Sequence, residues 1–494
     1  MSGARAMPAP SAPIRPLRVV VGILLFLAIW QLDSPLQTAG AGGGRAALAA
    51  ALTVWMAFWW ISEAVPMYWT ACLPLLVLPL SRVHGPGFVA NAGGALLPFL
   101  DPYVFLFLGG MGIAAAMQQW NLHRRIALAI MRAVGTEPRR LLLGLLLATG
   151  FVSLWISNTA TAAMMFPIGL AIIAEFEHRA GRRLTGYGAA LMLSIAYAAN
   201  LGGVGTKIGT VPSAQLSGFL AGRGEDVDFL DYMLLGVPFA AVFLFVAWAA
   251  LWRIGRVDAP DAAAARDTLE SERARLGPMQ RAEWLVLGVF LATALVWTAG
   301  HPITAALRAA GLPATTALVE SSAAIGASLL LMALRSSGQA VLEPRSLRTI
   351  QWQTLLLIGG GFSMAEAISA SGLSDWLGTQ IVLLRSLPSA PQLVLVSLTT
   401  VALSAFASNA ATVAVLLPIL ATSVAPAQVE PVLFAATFAA SCDFALPAGT
   451  PPNAIVFGSG YVSIPQMARN GVVLDVLAAL WAALWCGWMV PLIR

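Results

Sequence analysis

From Leu141 to Ala174 the chain runs for 34 residues without a charged side chain. As one helix that stretch would be about 51 Å long at 1.5 Å per residue, whereas a bilayer's hydrocarbon core is about 30 Å thick. Apolar runs of span length recur along the rest of the sequence, and with 59% hydrophobic and 10% charged residues the chain could not clothe a water-facing surface. Mean hydropathy is +0.80. The expectation is an all-α polytopic membrane protein, in which the 141–174 run is too long for one span. Both flanks of that run are basic, Arg139 and Arg140 before it and Arg179, Arg182 and Arg183 after it. Positive flanks belong on the cytoplasmic side. The segment should therefore enter and return as a re-entrant hairpin, with "WISNTATAAMMFP" (155–167) at its tip. Non-helical backbone at that depth must be buried in protein or line a water-filled cavity, which makes the tip a candidate site.

The remaining topology follows from charge. A tail with Arg5, Arg15 and Arg18 reads as cytoplasmic, ahead of spans near 19–31, 46–62, 66–81 and 101–119. These return the chain to the cytoplasm at a basic stretch with Arg124, Arg125 and Arg132. The apolar run of about 187–220 ends at an acidic loop, Glu225, Asp226, Asp228 and Asp231, expected outside. Spans 232–252 and 284–299 flank a charged linker, 253–283, with six arginines and six acids, expected inside. The N-terminal segment lacks a clean small-x-small cleavage site and reads as a tail with a first span.

The second half repeats the first. "SNTATAAMMFPIGL" (157–170) matches "SNAATVAVLLPILA" (408–421) at an offset of 251, and "FLGGMG" (107–112) matches "LIGGGF" (357–362) at 250. "GTVPS" (209–213) matches "GTPPN" (449–453) at 240. Matches in one order mark an internal duplication. The second hairpin, about 390–424, has only Arg385 before it and Glu430 after it, and by span count it enters from outside. The expected organisation is a first inverted repeat, 1–252, a cytoplasmic linker, 253–283, and a second inverted repeat, 284–494. That arrangement is typical of secondary transporters with a midplane site at the repeat interface.

Each half supplies two helix breaks, a Ser-Asn hairpin tip and a Gly/Pro-interrupted span (202–213 and 447–453). Ser and Asn cap helix N-termini, whose unpaired N–H groups and positive dipole ends suit an anion. Unwound carbonyls and side-chain oxygens beside them suit a small hard cation. Cation-coupled transport of a dianion is the chemistry these parts serve.

Other classes lack support. The formal charge of +5 sits in short arginine clusters between spans, which is no nucleic-acid footprint. Cys72, Cys442 and Cys486 lie in apolar surroundings without metal-ligand spacing, and His84, His123, His178 and His301 form no cluster in sequence. Walker A and HExxH patterns do not occur. An intramembrane hydrolase would need a base near Ser157, and none is visible, so no enzyme is expected. An anion channel could use the same broken helices, and counterflow of labelled substrate separates it from a carrier.

The sequence resembles the divalent anion/sodium symporter family, carriers of dicarboxylates, citrate or sulfate. The likeness lies in "WWISEAVPMYWTACLPLLVLPL" (59–80), "FLDPYVFLFLGG" (99–110), "WISNTATAAMMFP", "LGPMQRAE" (276–283) and "GTPPNAIVFGSGYVSIPQMAR" (449–469). It implies about eleven transmembrane helices plus two re-entrant hairpins in an inverted repeat, and a homodimer in a bacterial inner membrane. It also implies a first Na⁺ site at Ser153, Ser157, Asn158 and Gly209, and a second at Ser404, Ser408, Asn409 and Gly449. Substrate carboxylates would meet Ser157, Asn158, Thr159, Thr210, Ser408, Asn409, Thr450 and Pro451. No cofactor is implied beyond Na⁺ as coupling ion, and the partners are a dianionic substrate and the lipid bilayer. A four- or five-carbon dicarboxylate fits two tips in separate repeats better than sulfate, which stays open.

The departures from the family pattern are as informative. Ala410 replaces the threonine of a second S-N-T, Val211 and Ser213 replace residues of G-T-P-P-N, and Asp443 and Lys207 stand where apolar residues are usual. Lys207 is the single lysine among 28 basic residues. An intramembrane lysine costs about 2.5–3.5 kcal/mol at a helix centre and usually faces a cavity or a partner. Pointed into the first site it would repel a cation about 4 Å away by about 4 kcal/mol at an effective dielectric of 20. The protein would then need fewer sodium ions than the family pattern implies, or none, as a Na⁺-independent dicarboxylate exchanger would; the plain alternative is a lysine that snorkels to water or makes a structural ion pair. Paired across the repeats with Asp443, its charge would be offset and sodium coupling would persist.

Overall fold

The computed structural model describes residues 15–31, 36, 44–260 and 263–494. The part of the N-terminal tail that carries Arg5 lies outside them. The protein is all-α, with one two-residue strand pair, Arg335–Ser336 with Gln339–Ala340, among the described residues. Seven helices there are long and apolar enough to cross a bilayer, or eight if the bent pair Trp352–Ala370 and Leu373–Gln380 counts as a span. That count includes Asn158–Ala180, which is one arm of the first hairpin. With the bent pair in its place, four further segments are needed to reach the eleven spans expected from sequence. These are the shorter apolar helices Pro16–Gln31 and Met67–Leu80 and the two interrupted helices described below.

The chain divides into two compact units, each drawn from both halves of the sequence. The first comprises residues up to Leu100 together with Trp352–Val382. In it, Pro16–Gln31 packs on Arg45–Ser62, with Phe26 and Trp55 rings 5.1 Å apart. Arg45–Ser62 stops at Glu63, whose φ of 48° is the left-handed cap that turns the chain toward Pro66. The second helix of the bent pair turns 75° away from the first at Gly372, with φ 75°.

The second unit comprises Asp101–Gln351 and Leu383–Arg494, and it contains both hairpins and both interrupted helices. The first hairpin has arms Pro138–Ser153 and Asn158–Ala180, and the second has arms Ser389–Ser404 and Asn409–Ser423. The first interrupted helix is Thr185–Gly203 followed by Val211–Gly222, and the second is Val429–Ser441 followed by Pro451–Phe457.

Ion pairs fix which flanks lie together. Arg124 pairs with Glu272, and Arg125 reaches Glu283 at 2.6 Å, so the basic stretch after the span at 101–119 joins the charged linker. The base of the first hairpin joins the same end, because Tyr187 donates to the Pro138 carbonyl (2.8 Å) and its N–H donates to Asp258 (2.6 Å). At the other end, Arg494 bonds Glu430, beyond the second hairpin, and the carbonyls of Glu225 and Asp226 in the acidic loop. The 27-residue helix Phe229–Gly255 runs between the acidic loop and the linker. The two hairpins are thus flanked from opposite ends of that helix.

Candidate functional site

Each hairpin tip is a four-residue break that ends in a serine cap. Ser157 accepts the Ala160 N–H at 3.5 Å and Ser408 accepts the Ala411 N–H at 3.1 Å. The next helices begin at Asn158 and Asn409, so each asparagine sits on a fresh N-terminus with the positive end of the helix dipole.

The same side-chain geometry then recurs around both asparagines. Ser153 Oγ donates to the Ala199 carbonyl (2.7 Å) and lies 2.9 Å from the Asn158 amide. Ser404 Oγ lies 2.8 Å from the Ala440 carbonyl and 2.8 Å from Asn409 Oδ1. Each tip is tied by one serine to the last turn of an interrupted helix. At the first tip the partners orient the Asn158 amide so that its nitrogen donates to Ser153 Oγ (2.9 Å) and the Gly209 carbonyl (3.2 Å) and lies 3.0 Å from the Ala199 carbonyl. Three oxygens converge on one electropositive group, and turning the amide over would add a fourth oxygen facing them. That donor set fits a small hard cation.

Backbone proximity explains the glycines. A Cβ on Gly209 would overlap the backbone of Gly203, and one on Gly203 would overlap the Asn158 side chain. The first break therefore folds onto its own helix end and onto the tip. Thr206 stitches it there, donating to the Leu154 carbonyl and accepting the Gly209 N–H at 3.1 Å. The second break is held by Asn453, whose amide donates to the carbonyls of Asp443 (3.1 Å) and Leu446 (3.0 Å). Thr450 caps the helix that follows, accepting the Asn453 N–H at 3.4 Å.

Accessibility differs among the expected site residues. Ser153, Gly209, Ser404 and Gly449, expected to serve the cations alone, are buried. Ser157, Asn158, Thr159, Thr210, Ser408 and Asn409 are partly accessible and Pro451 is exposed, whereas Thr450 is buried. Ser157 also lines a cleft with Gln118, Ala160 and Gln351, and Gln351 Nε2 lies 3.3 Å from Ser157 Oγ.

Lys207 does not meet Asp443. It is fully buried, and its ammonium sits 2.8 and 3.1 Å from the two carboxylate oxygens of Glu320. The Tyr103 ring lies below it, 5.3 Å from ring centroid to Nζ, and Tyr103 donates to Asp226 at 2.7 Å. Glu320 also accepts the Phe229 N–H (2.8 Å), while its carbonyl accepts the Trp297 indole N–H (3.0 Å). Trp297 and Phe229 stack at 4.8 Å, and Trp155 of the first tip lies 6.5 Å from Trp297. Of the placements the sequence leaves open for Lys207, pairing with Asp443 is not the one found, for a physical reason: the carboxylate within reach of the ammonium comes from helix Thr316–Ala333, whereas the Asp443 side chain packs against Gly449.

Sequence reasoning missed two residues. Glu320 is the single acid of the Thr316–Ala333 span, and an intramembrane acid was the available signal for it. Asn200, fully buried one turn before the first break, donates to the Asp443 carbonyl (3.0 Å) and Thr450 Oγ1 (3.1 Å), so it links the two interrupted helices.

A polytopic membrane protein with two capped re-entrant tips against two interrupted helices is built as a secondary carrier. The comparisons with known proteins narrow the class. Residues 17–493 match the family described as the sodium:sulfate symporter transmembrane region, and the chain belongs to that family. It is 36% identical over 486 residues to the sodium-dependent dicarboxylate transporter SdcS of Staphylococcus saprophyticus, covering 96% of this chain and 91% of the relative. It is 34% identical over 488 residues, with the same coverage, to the protein of that name from Staphylococcus aureus. Among solved structures, the YdaH transporter of Alcanivorax borkumensis aligns over 96% of both chains with a TM-score of 0.53 at 14% identity, a likeness of fold alone.

Proposed function

We propose that this chain is a Na⁺-coupled symporter of four- or five-carbon dicarboxylates that works by alternating access and is not an enzyme. The observation that carries the proposal is the repeated geometry at the tips: Ser153 with Asn158 and the Ala199 carbonyl, Ser404 with Asn409 and the Ala440 carbonyl. Each tip joins a buried oxygen set suited to Na⁺ to an accessible helix N-terminus suited to a carboxylate. Ser157, Asn158, Thr159 and Thr210 would serve one end of the dianion, and Ser408, Asn409, Thr450 and Pro451 the other. Ser153, Ser157, Asn158 and Gly209 would hold one cation, and Ser404, Ser408, Asn409 and Gly449 a second. Because each asparagine belongs to both sets, a bound cation and a bound carboxylate would favour one another, which is the basis of coupling.

The carrier read here acts in a bacterial inner membrane as a homodimer with its N-terminus cytoplasmic. Residues 1–252 and 284–494 form its inverted repeats, joined by the 253–283 linker. The ion pair of Lys207 with Glu320 weighs against an exchanger with a built-in cation, since the ammonium already faces a carboxylate. The relatives carry dicarboxylate in their names and the family carries sulfate, so substrate choice is tested directly. Proteoliposomes should accumulate labelled succinate under an inward Na⁺ gradient, with malate competing and sulfate not. Sulfate uptake that succinate, malate and oxoglutarate fail to inhibit would contradict the proposal.

A further inference from the structure

Asp443 lies in the second break and is 1% exposed. Among the described residues no side chain hydrogen-bonds either carboxylate oxygen, the Ala445 N–H is the backbone donor that faces the group, and the nearest charge is a second carboxylate, Asp475. Its own carbonyl is clamped by Asn200 and Asn453 (3.0 and 3.1 Å), so the residue is held in place while its charged end is left unanswered. No basic side chain answers it either, because Lys207 is bonded to Glu320, and the neighbouring Phe444 N–H goes to a second carboxylate, Asp475, at 2.8 Å. The Asn200 amide oxygen beside it is likewise buried without a partner. A buried carboxylate with no counter-charge and a second carboxylate, Asp475, beside it is costly to ionise, and a cation removes the cost.

The direction of the side chain says where that cation would sit. A Cβ on Gly449 would overlap the Asp443 carboxylate, so the carboxylate is packed against the residue that opens the second unwound segment. We infer that Asp443 is an anionic ligand of the cation at the second tip, completing a site whose other oxygens, from Ser404, Ser408, Asn409 and Gly449, are all neutral. The inference rests on the proposed cation-coupled function and adds to it. The two tips are chemically unequal, and the second holds its cation with a full charge. Ligand charge raises the affinity of oxygen sites for hard cations, so the second site fills first.

The test is cation binding by purified wild-type protein and Asp443→Asn, which keeps shape and removes charge. Binding is read without substrate, as radioactive Na⁺ uptake by the protein and as protection from thermal unfolding across a Na⁺ titration with choline as control. Asp443→Asn should raise the Na⁺ midpoint by about tenfold or more, because the ligand charge is gone. An unchanged midpoint overturns the inference, as does absence of any Na⁺ response in wild type. If Asp443→Asn does not fold, Asp443→Ser is read the same way. The two readings fail separately. Na⁺-driven uptake with an unchanged midpoint removes Asp443 and leaves symport, whereas Na⁺-independent uptake with a raised midpoint removes symport and leaves Asp443 as a cation ligand.

Discussion

Glu320→Gln isolates what the Lys207 ion pair contributes. The substitution keeps side-chain shape and an oxygen for the Phe229 N–H, and it removes the charge facing the ammonium together with the Oε2 acceptor. At the observed 2.8 Å separation the attraction is about 6 kcal/mol for an effective dielectric of 20. Both ends are fully buried, so desolvation offsets much of that attraction, and the pair as a whole adds little. Breaking it from one side is different: an ammonium left without its counter-charge costs about 3–5 kcal/mol. Glu320→Gln should therefore lower the temperature at which detergent-solubilised protein loses monodispersity, and Lys207→Met should do so as well. The double variant, with both charges gone, should recover most of the loss, so the two changes are far from additive. It should also retain Na⁺-dependent uptake, since the ammonium is bonded to Glu320 and not to a tip oxygen. A Glu320→Gln protein as stable as wild type, or a double variant as unstable as the sum of the singles, would show that the two charges do not depend on one another.

Further variants probe the tips and breaks. Asn158→Ala and Asn409→Ala should each abolish nearly all succinate uptake while the protein elutes as wild type in size exclusion; near-normal uptake by either removes that tip from the site. Gly209→Ala drives a methyl into the Gly203 backbone and should weaken Na⁺ binding by about tenfold or abolish folding, and wild-type Na⁺ binding would show the close approach to be unimportant. Asn200→Leu removes the link between the interrupted helices, taking one of two amide donors from the Asp443 carbonyl and the amide donor from Thr450 Oγ1, so it should destabilise by about 1–3 kcal/mol, read as a lowered melting midpoint.

What the sequence makes legible is whatever local chemistry decides. A charge-free run too long for one span predicts the first hairpin, and its arms run from Pro138 to Ala180, around the expected 141–174. Ser-Asn at each tip predicts the capped N-termini, since the cap is a contact between residues three apart. The Gly-rich and Pro-Pro stretches predict the two breaks. The partner of Lys207 was out of reach because Glu320 lies 113 residues away, and two buried charges find each other through packing that periodicity does not encode. The Ala199 and Ala440 carbonyls were hidden for another reason: any residue offers a carbonyl, and only the fold says which one faces a serine. Asp443 stood out in sequence as an acid in an apolar setting, but its direction toward Gly449 needed the backbone of the second break.

Simultaneous uptake of radioactive sodium and labelled succinate into proteoliposomes holding neither substrate nor dicarboxylate inside bears on the whole proposal at once. With one cation at each tip, sodium should enter with succinate in a fixed ratio above one, uptake should rise sigmoidally with external Na⁺, and Asn158→Ala or Asn409→Ala should abolish both fluxes together. Succinate entry that is equal in sodium and choline, or that appears only when dicarboxylate is loaded inside, would contradict it.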